Sequence, residues 1–188
     1  MYKRQNPDDG VILVSGASGG VGSVAISLLS DLGYNVEAST GRLEETPYLN
    51  TLGAKTVIHR SELSEPSRHL GKERWAGAID SVGSTTLANI LAHVSYGGAV
   101  SACGLAQGMD LPSTVMPFIL RGVSLLGIDS VMAPMQLRER AWKRLSENIN
   151  INKLEEMTID VSLDQVEGLA NEILQGKVSG MVIVNISE

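Results

Sequence analysis

The fold of this chain is decided by Val11-Ile12-Leu13-Val14-Ser15-Gly16-Ala17-Ser18-Gly19-Gly20-Val21-Gly22. The stretch begins with four apolar residues in a row, which is typical of a strand buried on both faces of a sheet. Four glycines follow between positions 16 and 22. Val21 then starts an apolar repeat at helical spacing, and Gly33 is the expected C-terminal cap of that helix. A strand, a glycine-rich turn and a helix therefore follow one another directly.

The same rhythm continues along the chain, because short apolar runs alternate with amphipathic stretches. It predicts βαβ units, and hence an α/β fold with a Rossmann-type doubly wound parallel sheet. The predicted strands are residues 11–15, 35–39, 56–59, 76–81, 99–103 and 123–128. The predicted helices are residues 21–32, 44–52, 85–94, 117–120 and 135–147. We expect residues 1–9 to be a leader, residues 10–150 to be this domain, and residues 151–188 to be a tail with a strand, a helix and a last strand.

Composition narrows the class of ligand. Fifteen basic against twenty-one acidic residues among 188 give a net charge of -6, which argues against a nucleic-acid or anionic-membrane partner and favours a small molecule. The single cysteine excludes an intrachain disulfide, and the three histidines lack ligand spacing, so no metal site is expected. The start of the chain shows no signal peptide or membrane span. We therefore expect a soluble cytoplasmic protein.

The glycine-rich turn predicts a phosphate site. Unpaired backbone N–H groups and the positive end of the helix dipole hold a phosphate at a helix N-terminus, where side chains would block its approach. Because the turn follows a strand and opens a helix, the expected ligand is the pyrophosphate of a dinucleotide. A tight turn that binds nothing would also contain glycine, but it would need fewer glycines than this one has.

The end of the second predicted strand indicates which dinucleotide binds. An acidic residue about twenty positions after the turn would accept the adenosine ribose hydroxyls of NAD. Thr40-Gly41-Arg42 stands there instead, and an arginine can bind a ribose 2'-phosphate that a carboxylate would repel. Glu37 comes too early in the strand to reach its end. We therefore expect NADP(H), with a solvated loop arginine as the alternative interpretation of Arg42.

Two further residues end predicted strands, on the edge of the sheet where ligands gather. Asp80 would be either a catalytic carboxylate or a cap for the next helix, and the cap is favoured because no His or Lys lies nearby in sequence. Cys103 is expected to be a small buried hydrophobe rather than a nucleophile. The sequence therefore indicates no catalytic residue.

Two families of dehydrogenases share this type of turn, and other motifs distinguish them. Short-chain enzymes need a Tyr-x-x-x-Lys pair, and no tyrosine here has a lysine four residues later. The chain resembles instead the medium-chain dehydrogenases/reductases, within their zinc-independent quinone oxidoreductase branch and its acryloyl-CoA reductase group. The motifs that carry the resemblance, in family order, are Gly53-Ala54, 75–80, Tyr96-Gly97-Gly98, Cys103-Gly104-Leu105 and 114–121, with 127–132.

The resemblance implies which residues would bind the cofactor. The pyrophosphate would lie at Ser18, Gly19, Gly20 and Val21, the 2'-phosphate at Thr40, Gly41 and Arg42, and the nicotinamide side at Leu105, Ile119 and Ser130. It also implies that a catalytic domain precedes the glycine turn, that the tail returns into that missing domain, and that this chain alone is poorly active.

The implied reaction is hydride transfer from NADPH to the β-carbon of an α,β-unsaturated carbonyl compound, or reduction of a quinone. The resemblance further implies a homodimer joined through the strand at residues 123–128, whose exposed edge invites another strand. The alternative function is a non-catalytic module that binds or senses NADP(H), because the fold alone does not establish catalysis.

Overall fold

A computed structural model describes residues 5–66 and 68–186 of the protein. Six strands form one wholly parallel sheet, in the order β3-β2-β1-β4-β5-β6. The strands are β1 (Val11–Val14), β2 (Asn35–Thr40), β3 (Thr56–His59), β4 (Trp75–Asp80), β5 (Val94–Ala102) and β6 (Ser124–Gly127). The helices are α1 (Gly20–Asp31), α2 (Thr46–Leu52), α3 (Ser84–His93), α4 (Met116–Arg121) and α5 (Met135–Asn148). The predicted doubly wound parallel sheet is confirmed.

The sheet is covered on both faces, as the apolar run at its centre requires. Along β1, Ile12 and Val14 pack into one cluster with residues of α1 and α2, while Leu13 packs into a second cluster with residues of α3. All three side chains are fully buried. Since neighbouring side chains of a strand point to opposite faces, β1 is the shared centre of both layers.

The fifth strand starts earlier than the sequence predicts. β5 begins at Val94, so Tyr96-Gly97-Gly98 lies inside the strand, where its pairing with β4 shifts register between Trp75 and Gly77. Gly98 explains the close pairing, because an added Cβ would stand 2.6 Å from the carbonyl oxygen of Ala76. The predicted turn is therefore a β-strand irregularity.

The tail contains α6 (Ile151–Glu156), β7 (Thr158–Ser162), α7 (Val166–Leu174) and β8 (Met181–Asn185). β7 and β8 pair in parallel as a separate two-stranded sheet. The tail nevertheless packs against the α1 side, since Met157 is 1% exposed within the core cluster there. Lys153 Nζ also lies 2.6 Å from Asp31 Oδ1 at the end of α1.

A buried carboxylate joins three strands of the central sheet. Glu37 on β2 accepts hydrogen bonds from Trp75 Nε1 at 2.7 Å and Thr56 Oγ1 at 3.1 Å, and its Oε2 lies 3.1 Å from Arg74 Nη2. Arg74 also covers the Trp75 ring, with 4.8 Å between its Cζ and the ring centroid. Glu37 is thus committed to packing within the sheet, as its early position in the strand predicts.

We expect Trp75→Phe to lower the free energy of unfolding by about 2 to 4 kcal/mol, because a buried carboxylate loses a donor and a cavity remains. The measurement is urea unfolding followed by circular dichroism. Trp142→Phe is the matched control, since Trp142 is 67% exposed on α5, and its effect should stay within about 0.5 kcal/mol. Equal effects of the two variants would contradict this role of Trp75.

Candidate functional site

The glycine-rich turn places the N-terminus of α1 directly against the end of β1. Gly16 has a φ of +58°, and the Gly19 N–H donates to the Gly16 carbonyl at 3.0 Å. A Cβ on Gly22 would stand only 2.4 Å from the same carbonyl oxygen. Glycine at positions 16 and 22 is therefore required by the tightness of the turn itself.

The first turn of α1 offers free backbone donors. Gly19 is the N-cap residue, has no side chain to bond those donors, and is followed by no acidic residue in the first turn. Gly19 is exposed, and Val21 is 58% exposed. Since the first N–H groups of a helix have no partner within it, this end of α1 fits an anion such as a pyrophosphate.

The turn is connected to the end of β2 by a buried hydrogen bond. The hydroxyl groups of Ser18 and Thr40 lie 2.7 Å apart, and the Arg42 N–H donates to Thr40 Oγ1 at 3.2 Å. The structure therefore brings together the residues predicted for the pyrophosphate and for the 2'-phosphate. The Ser18 hydroxyl is committed to this contact, so that a phosphate would meet the backbone of the turn.

Arg42 already has protein partners. Its Nη2 lies 2.8 Å from Glu45 Oε1, and it donates to Ser179 Oγ and to the Val178 carbonyl, both at 3.1 Å. The Ser179 hydroxyl also bonds Glu45 Oε1. Sequence reasoning missed both of these partners. The spacing of Arg42 and Glu45 could have indicated their contact, whereas nothing in the sequence links either residue to Ser179.

The tail lies against the glycine turn, and this corrects the expected role of one glycine. The Gly180 N–H donates to the Ser18 carbonyl at 2.8 Å. A Cβ on Gly20 would stand 2.9 Å from Met181 Cγ and 3.3 Å from the Gly180 carbonyl oxygen. The space in front of Gly20, which we expected to admit a phosphate, is therefore filled by the start of β8.

The residues expected on the nicotinamide side are only partly gathered. An open cleft of about 470 Å³ lies where β5 and β6 end, and Leu105 and Asp129 line it. Ser130 follows Asp129, and its carbonyl accepts a hydrogen bond from Arg138 Nη1 at 3.1 Å. Ile119 is 71% exposed on α4 and does not line the cleft.

Asp80 organises the turn before α3, which confirms the structural interpretation. The residue is fully buried, and its carboxylate accepts hydrogen bonds from Ser15 Oγ at 2.5 Å and from the N–H groups of Val82 and Gly83 at 3.3 and 2.9 Å. Gly83, rather than Asp80, is the N-cap residue of α3. With three donors on it, Asp80 serves the connection between β1 and β4.

Cys103 is exposed and lines the cleft, so the expectation of a buried cysteine was wrong. The reason is that it follows the last residue of β5 and stands beyond the packed sheet. Partial desolvation, followed by the negative charge of Asp80, raises the pKa of its thiol above the ordinary value of 9.0. The thiol therefore stays protonated at neutral pH, which agrees with the expectation that it is no nucleophile.

We expect alkylation of Cys103 by iodoacetamide to be slow at neutral pH and to accelerate with a midpoint above 9.0, because only the thiolate reacts. The rate is measured by mass spectrometry between pH 6 and 11, on the folded chain and on the chain unfolded in urea. The unfolded chain is the control and should react faster at neutral pH. A faster reaction of the folded chain there would contradict the raised pKa.

Two findings limit the kinds of site in the described part of the chain. No group of three or more His, Cys, Asp or Glu side chains in residues 5–66 and 68–186 could hold a metal ion. Over the same residues, no helix has both the length and the apolar character needed to cross a membrane.

The sheet order, the glycine turn and the uncapped helix together define a dinucleotide-binding α/β domain. Residues 20–147 match the sequence profile of the family described as zinc-binding dehydrogenase. The chain belongs to this family. Its described residues provide no cluster of donors to hold the zinc of the family's name.

Curated relatives agree with the resemblance seen in the sequence. The chain is 49% identical over 182 residues to acrylyl-CoA reductase AcuI of Ruegeria pomeroyi, covering 96% of this chain and 55% of that protein. It is 46% identical over 185 residues to the putative quinone oxidoreductase YhfP of Bacillus subtilis, covering 96% and 56%. The chain thus spans about 55% of the length of these relatives.

Solved structures share the fold closely. The yhdH oxidoreductase of Salmonella enterica in complex with NADP has a TM-score of 0.94 and 47% identity, over 97% of this chain and 56% of that one. Bacillus subtilis yhfP with NAD bound has a TM-score of 0.91 and 45% identity, over 97% and 56%. The predicted resemblance to the acryloyl-CoA reductase group is therefore confirmed.

Proposed function

We propose that this chain is the NADP(H)-binding part of an oxidoreductase that reduces an α,β-unsaturated carbonyl compound or a quinone. The observation that carries the proposal is the uncapped N-terminus of α1 beside Thr40-Gly41-Arg42. Relatives named acrylyl-CoA reductase and quinone oxidoreductase support the reaction, and the yhdH complex supports the cofactor. We further propose residues 10–150 as the cofactor domain. The single cysteine supports a cytoplasmic location.

The residues of this chain would bind and orient the cofactor. Backbone N–H groups along 18–21 would hold the pyrophosphate, and Thr40, Gly41 and Arg42 would hold the 2'-phosphate. These contacts at one end of the cofactor direct the other end toward the cleft lined by Leu105. When bound, NADPH supplies a hydride for the β-carbon of the substrate. We assign no proton donor to a described residue.

We expect Gly19→Asp to lower the affinity for NADPH at least about a hundredfold, because its carboxylate would bond the free donors of α1 and repel phosphate. The variant should fold normally. Gly19 has extended backbone angles, φ −82° and ψ 170°, and an added Cβ would meet only the Gly16 carbonyl oxygen, at 3.4 Å. Asp is moreover a favourable N-cap residue.

The affinity is measured by calorimetric titration, with circular dichroism as the test of folding. Gly168→Asp is the control for the change of charge, since an added Cβ on that residue of α7 has no neighbour within 4 Å. This control should bind NADPH like the parent chain. Undiminished binding by a folded Gly19→Asp variant would place the pyrophosphate elsewhere and contradict the proposal.

A non-catalytic NADP(H)-binding or sensing module is the second candidate function. One observation favours it: Arg42 connects the proposed 2'-phosphate end to the tail through Val178 and Ser179. A ligand that binds Arg42 would therefore act on the position of the tail. NADPH oxidation that depends on added acryloyl-CoA would contradict this alternative.

We also propose that the protein forms a homodimer through the free edge of β6. Among the described strands β6 pairs only with β5, and the Ile128 N–H points inward to the Ala102 carbonyl at 2.9 Å. Because donors alternate along a strand, the Gly127 N–H points outward from the sheet. This edge could accept a second copy of β6 across a two-fold axis.

We expect Gly127→Pro to convert the dimer to a monomer, because proline removes an outward N–H while sparing the inward ladder. Light scattering after size-exclusion chromatography measures the mass. Gly127→Ala is the matched control, since it keeps the N–H and its Cβ would meet no atom within 4 Å. A monomeric parent chain, or a dimeric proline variant, would contradict this interface.

A further inference from the structure

The end of β3 brings a second arginine to the proposed 2'-phosphate site. Thr40 and His59 are partners in the parallel pairing of β2 with β3, so that Gly41 and Arg60 leave the sheet side by side. An ideal Cβ on Gly41 would stand 2.7 Å from Arg60 Nε and 2.8 Å from its Cζ. The guanidinium of Arg60 therefore lies over the Cα of Gly41.

The two arginines differ in how much of their charge is compensated. Arg42 contacts Glu45 at 2.8 Å, with side chains only 23% and 13% exposed, so a carboxylate already balances its charge. Arg60 is exposed, and its guanidinium makes no hydrogen bond or ion pair with any residue of 5–66 and 68–186. The uncompensated positive charge at the end of β2 is therefore that of Arg60.

Glu45 adds a second sign that this site expects more positive charge. Its Oε2 is buried and has no hydrogen-bond partner within the described part of the chain. A ribose 2'-phosphate carries negative charge, and a pair formed by Arg42 and Glu45 offers it almost no net attraction. A second arginine beside Gly41 would supply that attraction, since its planar fork bonds phosphate oxygens.

We propose that Arg60 is a second binding residue for the 2'-phosphate and the main source of discrimination between NADP(H) and NAD(H). The inference rests on the proposed function, because it assumes that the dinucleotide lies along the glycine turn. Arg42, held by Glu45 and Ser179 through Nη2, would shape the site, while Arg60 would contribute the free charge.

The test is calorimetric titration of the chain with NADP⁺, NAD⁺ and 2',5'-ADP, which needs no turnover. We expect Arg60→Ala to weaken binding of NADP⁺ and 2',5'-ADP about tenfold to a hundredfold, and binding of NAD⁺ less than about threefold. Arg60→Lys should retain part of the preference, because it keeps the charge but not the planar fork. Glu45→Gln should strengthen NADP⁺ binding.

Arg140→Ala is the matched control: Arg140 is an exposed arginine on α5, after the strand at the opposite edge of the sheet. Its affinities should equal those of the parent. Unchanged NADP⁺ binding in a folded Arg60→Ala variant would overturn the inference while leaving the proposed function intact. An equal loss for NAD⁺ and NADP⁺ would also overturn it, since Arg60 would then contact the adenosine. A parent chain that binds neither dinucleotide would overturn both.

Discussion

The close approach of Gly22 to the Gly16 carbonyl is the constraint on which the rest of the site depends. Any side chain at position 22 would place its Cβ 2.4 Å from that oxygen. Because both positions are glycine, α1 can begin right at the end of β1 with its first donors free. The same tight turn carries Ser18 to Thr40 on β2 and exposes the Ser18 carbonyl to Gly180 of the tail. One backbone contact thus aligns the phosphate turn, the end of β2 and the tail.

The acidic residues of the sheet serve the fold, and this sets the electrostatics of the site. Glu37 and Asp80 are both buried and receive hydrogen bonds from several donors, which offset the cost of burying a carboxylate. Neither reaches the free edge where a cofactor would lie. Near the end of β2, Glu45 is the carboxylate that contacts Arg42. The sign of the field there is therefore decided by how many arginines approach it, rather than by the acidic net charge of the chain.

The tail belongs to the core at one end and to the site at the other. Met157 is buried against α1 and α2, and the Met181 N–H donates to its carbonyl at 2.8 Å. From there the chain passes Gly20 and supplies Ser179 to Arg42. Since the chain spans about 55% of its relatives' length, the open cleft and the exposed apolar residues of α4 lie on surfaces that longer proteins of this family have chain available to cover.

The sequence by itself determined the features that depend on neighbours along the chain. The apolar run before the glycines predicts a buried parallel strand, the glycine spacing predicts the phosphate turn, and Thr40-Gly41-Arg42 predicts the end of β2 as the ribose site. Each pattern reflects local backbone geometry or the period of a helix or strand, so it is visible in one dimension. The comparisons confirm the family that these motifs indicate.

Only the tertiary structure decided the contacts between residues far apart in sequence. Gly20 was expected to face a phosphate but faces Met181, Cys103 was expected inside but stands in a cleft, and Arg60 went unnoticed until β3 placed it on Gly41. Each outcome depends on where two segments meet after the sheet has formed. Sequence spacing carries no information about such meetings, because strand order and register arise from the packing of the whole chain.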